Sequence, residues 1–324
     1  MRALVTGGTG FIGSHLINHL LEERKAEVFA LVRDLDKLKW LKGMDVRFLK
    51  GDLFSIPSLP SNIDYVFHIA GVTKTRKIAD YYTVNQHGTA SLFQSLRAQN
   101  IVPKKAFFLS STAAAGPSRD GNPVKEDDDS HPVTIYGKSK LLGEREALEF
   151  KKFFPLVILR VGAVYGPRDE DFLLYFKSVK RGILLTQASQ ESLYHLCYVK
   201  DLIRSFDLSL QKDLESGEII NIADPHHITW DEFGKVIGEV LGKKPITIKC
   251  PYFVLKMAAL VWEGASTLMK KPSSFNRDKL KAIMQPDWLA DTTKAERLLS
   301  FSPRFSLKEG LQETLKWYTD QKWL

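Results

Sequence analysis

A chain of 324 residues exceeds one typical core and predicts a large domain with a smaller lobe, or two domains. Its 44% hydrophobic and 26% charged content is that of an ordinary globular protein and excludes a low-complexity class. The net charge of +8 suits an anionic ligand, nucleic acid or a membrane surface, yet the lysines fall in scattered pairs such as Lys104-Lys105 and Lys243-Lys244. Without a basic stripe interleaved with aromatics, no nucleic-acid partner is expected, and solvated surface charge is the favoured reading.

In chain order, Arg2–Thr6 reads as a strand and Phe11–Glu23 as a helix. Strands follow at Glu27–Val32, Val46–Lys50 and Tyr65–Ala70, then a helix around Tyr81–Gln99. Ala106–Ser111 is a strand, Ile135–Lys151 a helix, Leu156–Val161 a strand, and Glu218–Ile222 a further one. Such alternation predicts a parallel sheet with helices on both faces and a ligand at the carboxyl ends of the strands. From Gly166 onward strands thin out and proline-broken helices dominate, which predicts a smaller lobe covering the site. The stretch 198–222 is expected to return to the sheet.

The first strand runs into Val5–Leu16, VTGGTGFIGSHL. Gly8, Gly10 and Gly13 fit G-x-G-x-x-G, and Thr6, Gly7, Gly10 and Gly13 fit T-G-x-x-G-x-x-G. Between a strand and a helix, such glycines let the backbone approach a pyrophosphate that then faces free helix N–H groups. A residue roughly twenty positions on discriminates the ribose, an acid for NAD and a base for NADP. Here Arg33 comes first and Asp34 follows, so NADP is favoured, with NAD as the alternative in which Asp34 binds the ribose. Farther on, Tyr136 and Lys140 form Y-x-x-x-K on a helix, one turn apart on one face. A nearby ammonium is expected to lower the phenol pKa and make Tyr136 an acid/base group. Ser111, at the end of a strand, is placed to polarise a carbonyl.

With these residues in place, the chain resembles the extended short-chain dehydrogenase/reductases of the epimerase/dehydratase type. The resemblance spans nearly the whole chain through TGGTGFIG, GDL (Gly51–Leu53), HIAG (His68–Gly71), VNQHGT (Val84–Thr89), LSST (Leu109–Thr112), YGKSK (Tyr136–Lys140), LRVGAVYGPRD (Leu159–Asp169) and YVKDL (Tyr198–Leu202). It implies an α/β fold, a Rossmann-type doubly wound parallel sheet with a smaller, mostly helical C-terminal substrate lobe. The dinucleotide domain would be 1–165, rejoined by 198–224, and the lobe 166–197 and 225–324. It implies that Tyr136 moves the proton at the reacting oxygen, that Lys140 binds the nicotinamide ribose and tunes Tyr136, and that Ser111, or less readily Thr112, bonds the substrate oxygen. Asn85 would be a proton relay or a helix kink, against a plain structural hydrogen bond. Thr6, Gly7, Gly10, Phe11, Ile12, Gly13, Arg33, Asp52, Leu53, Ala70, Gly71, Lys140 and Val164 would hold the cofactor. The helices bearing Asn85 and Tyr136 often pair in this family, which makes a homodimer the expected assembly.

Within the family, sugar-nucleotide enzymes commonly carry L-R-Y-F-N-V-Y-G-P and R-x-F-x-H-V-x-D. Here Ala163 replaces the Asn, Tyr194 the Arg and Tyr198 the His, which removes charge-assisted bonds to a diphosphate. Arg160 and Arg168 remain as structural candidates. Phe253, Val254, Leu255, Met257, Leu260, Val261, Trp262, Leu268 and Met269 suggest an apolar helix near the substrate cleft, suited to a less polar ketone. Core packing of the lobe is the plainer reading, and rest on a membrane surface a third. His195 reads as a hydrogen-bonded structural group. Glu126-Asp127-Asp128-Asp129 reads as a solvated loop over the site, and Leu289–Leu324 as a docking tail.

Cys197 and Cys250 form neither a disulfide framework nor a metal set, so no metal is expected. The strand-like start at Arg2 leaves no room for a signal peptide, and the apolar run Tyr252–Met269 is broken by Lys256 and Glu263, so a cytoplasmic enzyme without stable membrane insertion is expected. The expected activity is NADP-preferring interconversion of a ketone and a secondary alcohol on a small, fairly apolar substrate. The alternatives are a nucleotide-sugar epimerase or dehydratase, and an NADP-binding redox sensor without catalysis.

Overall fold

Parallel strands covered on both faces need unbroken apolar runs, and runs such as ALVT and LVILRV supply them. The computed structural model describes residues 1–188, 192–268 and 277–324, with side chains of 264–268 left aside. The chain runs β1 (Arg2–Thr6), α1 (Phe11–Glu22), β2 (Glu27–Val32), β3 (Val46–Lys50), β4 (Tyr65–His68), α2 (Ile78–Tyr82), a π-helical turn (Thr83–His87) and α3 (Gly88–Ala98). Next come β5 (Lys105–Ser111), α4 (Thr112–Ala115), α5 (Ile135–Leu148), β6 (Leu156–Val161), β7 (Ala163–Tyr165), α6 (Leu173–Lys180), β8 (Ile183–Gln187), β9 (Leu193–Tyr198), α7 (Val199–Leu210) and β10 (Glu218–Ile222). The C-terminal part holds β11 (His227–Thr229), α8 (Trp230–Leu241), β12 (Ile246–Cys250), α9 (Tyr252–Leu268), α10 (Arg277–Ile283), β13 (Asp287–Trp288), α11 (Thr293–Leu299) and α12 (Leu307–Asp320).

Seven parallel strands form the main sheet in the order β10-β6-β5-β4-β1-β2-β3. From β1 the chain winds outward to β2 and β3, then returns to β4 on the other side. That reversal between β1 and β4 opens a crevice at the carboxyl ends of the strands, where ligands bind in such sheets. Alternate residues feed opposite faces. Leu4, Val66, Phe108 and Ile158 join one buried cluster; Val5, Phe67, Phe107 and Leu159 join the other. The fold is therefore the doubly wound α/β sheet with a C-terminal helical region. As expected, 198–222 returns to it: α7 packs on α1, and β10 closes the edge beside β6.

Three expectations need correction. The strand at Tyr65 stops at His68, because Ile69 and Ala70 already turn into the crevice. The helix expected over Tyr81–Gln99 is interrupted by the π-helical turn around Asn85. Strands are not sparse after Gly166. β9 pairs with β7, β11 and β13, and β8 pairs with β12, so two small sheets sit beside the helices. They are short and held by tertiary pairing, which leaves little local pattern to read. The tail docks as expected: Tyr318 is buried, and Trp317 and Trp323 pack against Trp40, with ring centroids 5.3 and 5.9 Å away. Among the described residues, no helix is long and apolar enough to cross a membrane.

Candidate active site

The crevice is a single cleft of about 890 Å³, running from the glycine turn after β1 to the lobe helices α8 and α10. At one end lie Thr6, Gly7, Gly10, Phe11, Ile12 and Gly13. Gly10 caps α1, whose first turn carries no acid to repel an anion. Gly7 has φ +74°, and a Cβ there would stand 2.6 Å from the Ala70 nitrogen. A Cβ on Gly13 would stand 2.3 Å from the Gly7 carbonyl oxygen. Only glycine fits either place, and the cradle these turns make fits a dinucleotide diphosphate.

Arg33, Asp52 and Leu53 line the same end, as do Ala70, Gly71 and Val164. Asp52 itself is tied into its turn, accepting from the Phe54 and Ser55 nitrogens at 2.8 Å. Asp34 does not line the cleft; its carboxylate pairs with Lys37 at 2.8 Å, and that contact holds it below the usual carboxylate range. The cleft also takes in three residues that the sequence reading did not assign to the cofactor, Lys39, Trp40 and Arg168. Arg168 adopts φ +72°, lies 5.6 Å from the Trp40 ring, and has a buried Nη1 without a hydrogen-bond partner. Only the motif position of Arg168, just after Y-G-P, hinted at a site role.

Ser111, Tyr136 and Lys140 converge at the middle of the cleft. β5 delivers Ser111, whose hydroxyl accepts from the Ala113 nitrogen at 3.1 Å and caps α4. α5 carries Tyr136 and Lys140 one turn apart, and Thr134 caps it, accepting from the Gly137 nitrogen at 2.9 Å. Below them Glu144 is clamped by Arg160 at 2.9 and 2.7 Å and by Ser110, a buried pair that fixes α5 to β5 and β6. Arg160 thus serves the fold.

The electrostatics differ from expectation. Burial raises the Tyr136 phenol above its ordinary value, and its hydrogen bond with Ser111 works against that rise. Lys140 is not what tunes it here: its ammonium donates to the Leu109 carbonyl at 2.6 Å and lies 4.2 Å from the Phe108 ring centroid. Burial brings Lys140 down to about 7, with Glu144 opposing. Asn85 stays out of the cleft. It is fully buried, accepts from the Val72 nitrogen at 2.8 Å, and donates to the Val72 carbonyl and the Ser139 hydroxyl. This is a structural hydrogen-bond hub at a helix distortion, and it does not touch the reacting centre.

The far end is aromatic. Tyr175 stacks on Trp230 with centroids 5.1 Å apart and planes 14° apart, and Tyr194 sits 4.7 Å from Trp230. Trp288, Phe172 and Ala163 line the same end. His195 lines it too, but its Nδ1 accepts from the Ala290 nitrogen at 3.1 Å, in keeping with a structural role. Tyr198 lies outside the cleft, against Tyr165 and bonded to Glu313. Asp278, on α10, reaches back to the start of α5. Its carboxylate accepts from the Ile135 nitrogen at 2.9 and 3.0 Å and from the Tyr136 nitrogen at 3.4 Å. No local signal could have found that contact, which spans 142 positions.

Two expectations about the surroundings fail. The loop Glu126–Asp129 does not cover the cleft: Glu126 is buried and accepts from the Asn221 nitrogen at 2.8 Å, tying the loop to β10. Among the described side chains of α9, no apolar residue lines the cleft and only Ala259 is buried. Phe253, Met257, Val261 and Trp262 are each more than half exposed. Met269 and the Leu268 side chain lie outside the described residues. No group of three or more metal-ligating side chains occurs among the described residues.

The chain matches the family model of the NAD dependent epimerase/dehydratase family over residues 3–223. It is 27% identical to an uncharacterized UDP-glucose epimerase of Bacillus subtilis, covering 96% of each chain. It is 26% identical to a ceramide reductase of Caulobacter vibrioides, covering 99% of this chain and 95% of that one. The fold is shared with the NAD complex of a Bacillus cereus UDP-glucuronic acid 4-epimerase, with a TM-score of 0.79, 23% identity and 99% of each chain covered. The glycine cradle, the Tyr136–Lys140 helix and the match over 3–223 lead to one assignment: the chain belongs to the NAD-dependent epimerase/dehydratase family, within the extended short-chain dehydrogenase/reductases.

Proposed function

We propose that the protein is an NADP-preferring oxidoreductase that interconverts a ketone and a secondary alcohol on a fairly apolar substrate. The observation that carries this reading is the aromatic end of the cleft, where Tyr175, Tyr194, Trp230 and Trp288 meet beside Ser111 and Tyr136. Such walls suit an apolar body with one polar reacting group. The kinship to a ceramide reductase supports the same substrate class. We assign the dinucleotide to residues 1–165 and 198–224, and the substrate to 166–197 and 225–324.

In this reading the glycine cradle and the α1 N-terminus hold the diphosphate, and Arg33 takes the 2′-phosphate, with Lys39 and Arg168 adding positive charge to the cleft. When bound, the nicotinamide supplies or accepts the hydride. In the reducing direction, Ser111 donates a hydrogen bond to the substrate oxygen and holds it beside Tyr136. As the carbonyl carbon gains a hydride, Tyr136 gives its proton to that oxygen, and the resulting phenolate is reprotonated from solvent. Lys140 positions the ribose, its ammonium steadied by the Leu109 carbonyl.

The second reading is a nucleotide-sugar epimerase, favoured by the UDP-glucose epimerase relative and by the cationic groups Lys74, Arg168 and Lys279 along the cleft. Titration with NADPH and NADH, followed by a panel of apolar ketones and nucleotide-ketosugars, separates the two. The expected result is tighter NADPH binding and net NADPH oxidation on an apolar ketone. In Tyr136→Phe, turnover drops by about 10²–10⁴ with cofactor affinity kept. Tightly retained NAD and conversion of a sugar nucleotide without net cofactor consumption overturns the reductase reading.

A further inference from the structure

Helix α9 presents an apolar face that nothing among the described residues covers. Phe253, Met257, Leu260 and Val261 recur at helical spacing along one side and are exposed, as are Tyr252 and Trp262. Among its described side chains only Ala259 is buried. One residue upstream, across Pro251, the two-stranded sheet repeats the pattern. Ile183 pairs with Ile246 and Leu185 with Ile248 along β8 and β12, and all four side chains are exposed. Single exposed apolar residues are ordinary, but so many on adjoining elements mark a binding surface.

Charge identifies what covers it. The segment 243–281 holds nine lysines and arginines against two acids, a balance of +7 in a chain whose net charge is +8. Both acids are spent inside the protein. Glu263 binds Arg277 at 2.8 Å, and Asp278 caps α5. Lys256 lies on α9 among its apolar residues, where a long stem can lie along apolar surface with its ammonium in the headgroup layer. A symmetric pairing of two copies through this face would set one +7 segment against another, which disfavours a second copy as the occupant. Among the described residues no helix is long and apolar enough to cross a membrane, and α9 carries Lys256 and Glu263 within its apolar run; an amphipathic helix of this kind lies in the interfacial plane.

We propose that α9, with the exposed strands β8 and β12, docks the protein on an anionic lipid bilayer. Docking sets the mouth of the lobe against the membrane, because α9 is tied through the Glu263–Arg277 pair to α10, and Lys279, Ala282 and Ile283 of α10 line the cleft. An apolar substrate then passes from bilayer to cleft without crossing water. The surface stands independently of the carbonyl-reductase reading, whose own test uses dissolved substrates.

The test is co-sedimentation of the full chain with phosphatidylglycerol-containing vesicles and with phosphatidylcholine vesicles, at low and high salt. The expected result is binding to the anionic vesicles that falls at least tenfold in high salt. The double variant Phe253→Ser/Trp262→Ser, away from the cleft, should lose at least tenfold in binding while keeping its melting temperature and NADPH affinity. A Trp262→Phe protein should lose most of any vesicle-induced blue shift in tryptophan fluorescence. Absence of binding to anionic vesicles overturns the proposal. So does binding unchanged in the double variant, or a stable dimer that the same substitutions dissociate.

Discussion

Asp278→Ala tests whether the lobe controls the geometry of the active helix. In the native chain its carboxylate takes the Ile135 N–H through both oxygens, at 2.9 and 3.0 Å, and the Tyr136 N–H at 3.4 Å. These are orphan donors in the first turn of α5, next to the proposed acid/base group and aligned with the helix dipole. Loss of such a cap costs about 0.5–2 kcal/mol, and a charged acceptor sits toward the upper end. Because α10 also lines the cleft, the loss falls on the arrangement in which lobe and α5 are docked. With the undocked arrangement taken as the resting state of the free enzyme, a loss of about 1.4 kcal/mol makes the docked, reactive arrangement roughly tenfold less populated, and kcat/KM falls by that factor. Asp278→Asn keeps an acceptor oxygen and should lose about threefold or less. The dinucleotide end, carried by other elements, should keep its NADPH Kd within twofold in both variants. Steady-state kinetics with parallel NADPH fluorescence titrations measure all three numbers. The reasoning is refuted by Asp278→Ala with kcat/KM within twofold of the parent, or by a parallel loss of cofactor affinity.

The remaining expectations concern the cofactor end and acid stability. Gly13→Ala places a Cβ 2.3 Å from the Gly7 oxygen, so NADPH affinity should fall more than tenfold; titration within twofold of the parent contradicts the cradle. Arg33→Ala removes a charge-assisted contact of about 1.5–3 kcal/mol and should weaken NADPH by roughly 10–150-fold while leaving NADH unchanged; equal effects on both mean that Arg33 does not read the phosphate. His68 is buried between Thr6 and Thr89 at 2.7 and 3.0 Å, and burial lowers it from 6.5 to about 3. Its neutral form belongs to the fold, so stability is complete above pH 6.5 and is lost as pH falls toward 3. At pH 5 the loss attributable to His68 is about 2 kcal/mol. Asp169, raised to about 7 by burial, works in the opposite direction, so the readout is the difference between the parent and His68→Gln in denaturant melts at pH 7 and pH 5. A difference below about 0.5 kcal/mol rules out a neutral buried imidazole.

What could be read in the sequence divides along a physical line. The strands β1, β2 and β6 match their expected bounds because parallel strands buried on both faces advertise themselves as apolar runs; the edge strands β3 and β10 match them too, though more exposed, and the glycine cradle and the Tyr136–Lys140 helix are local spacings. Of the helix distortion at Asn85, the family resemblance implies only a kink; its π-helical form escaped because it depends on Val72 and Ser139, partners outside the local pattern. β7, three residues long, exists because β9 lies beside it. Asp278 at the head of α5 and Arg168 beside Trp40 belong to the same class of long-range contact.

The Lys140 ammonium and helix α9 illustrate a different limit. Y-x-x-x-K correctly puts two side chains in one cleft, but the sign of their mutual effect depends on what else surrounds them. The Leu109 carbonyl and the Phe108 ring hold the ammonium, while burial depresses it, so the Tyr136 phenol is governed by its own burial and by Ser111. In α9, composition shows an apolar helix but not which way it faces. Exposure of Phe253, Met257 and Val261 turns the same residues from a lobe core into an outward surface. In the proposed reading, the aromatic end of the cleft, built from α6, β9, α8 and β13, is what selects for an apolar body, and the outward helix, as the proposed docking surface, is what selects for where such bodies are found. A change at Trp230 should therefore alter which substrates turn over, whereas a change at Trp262 should alter only turnover of substrates presented in vesicles.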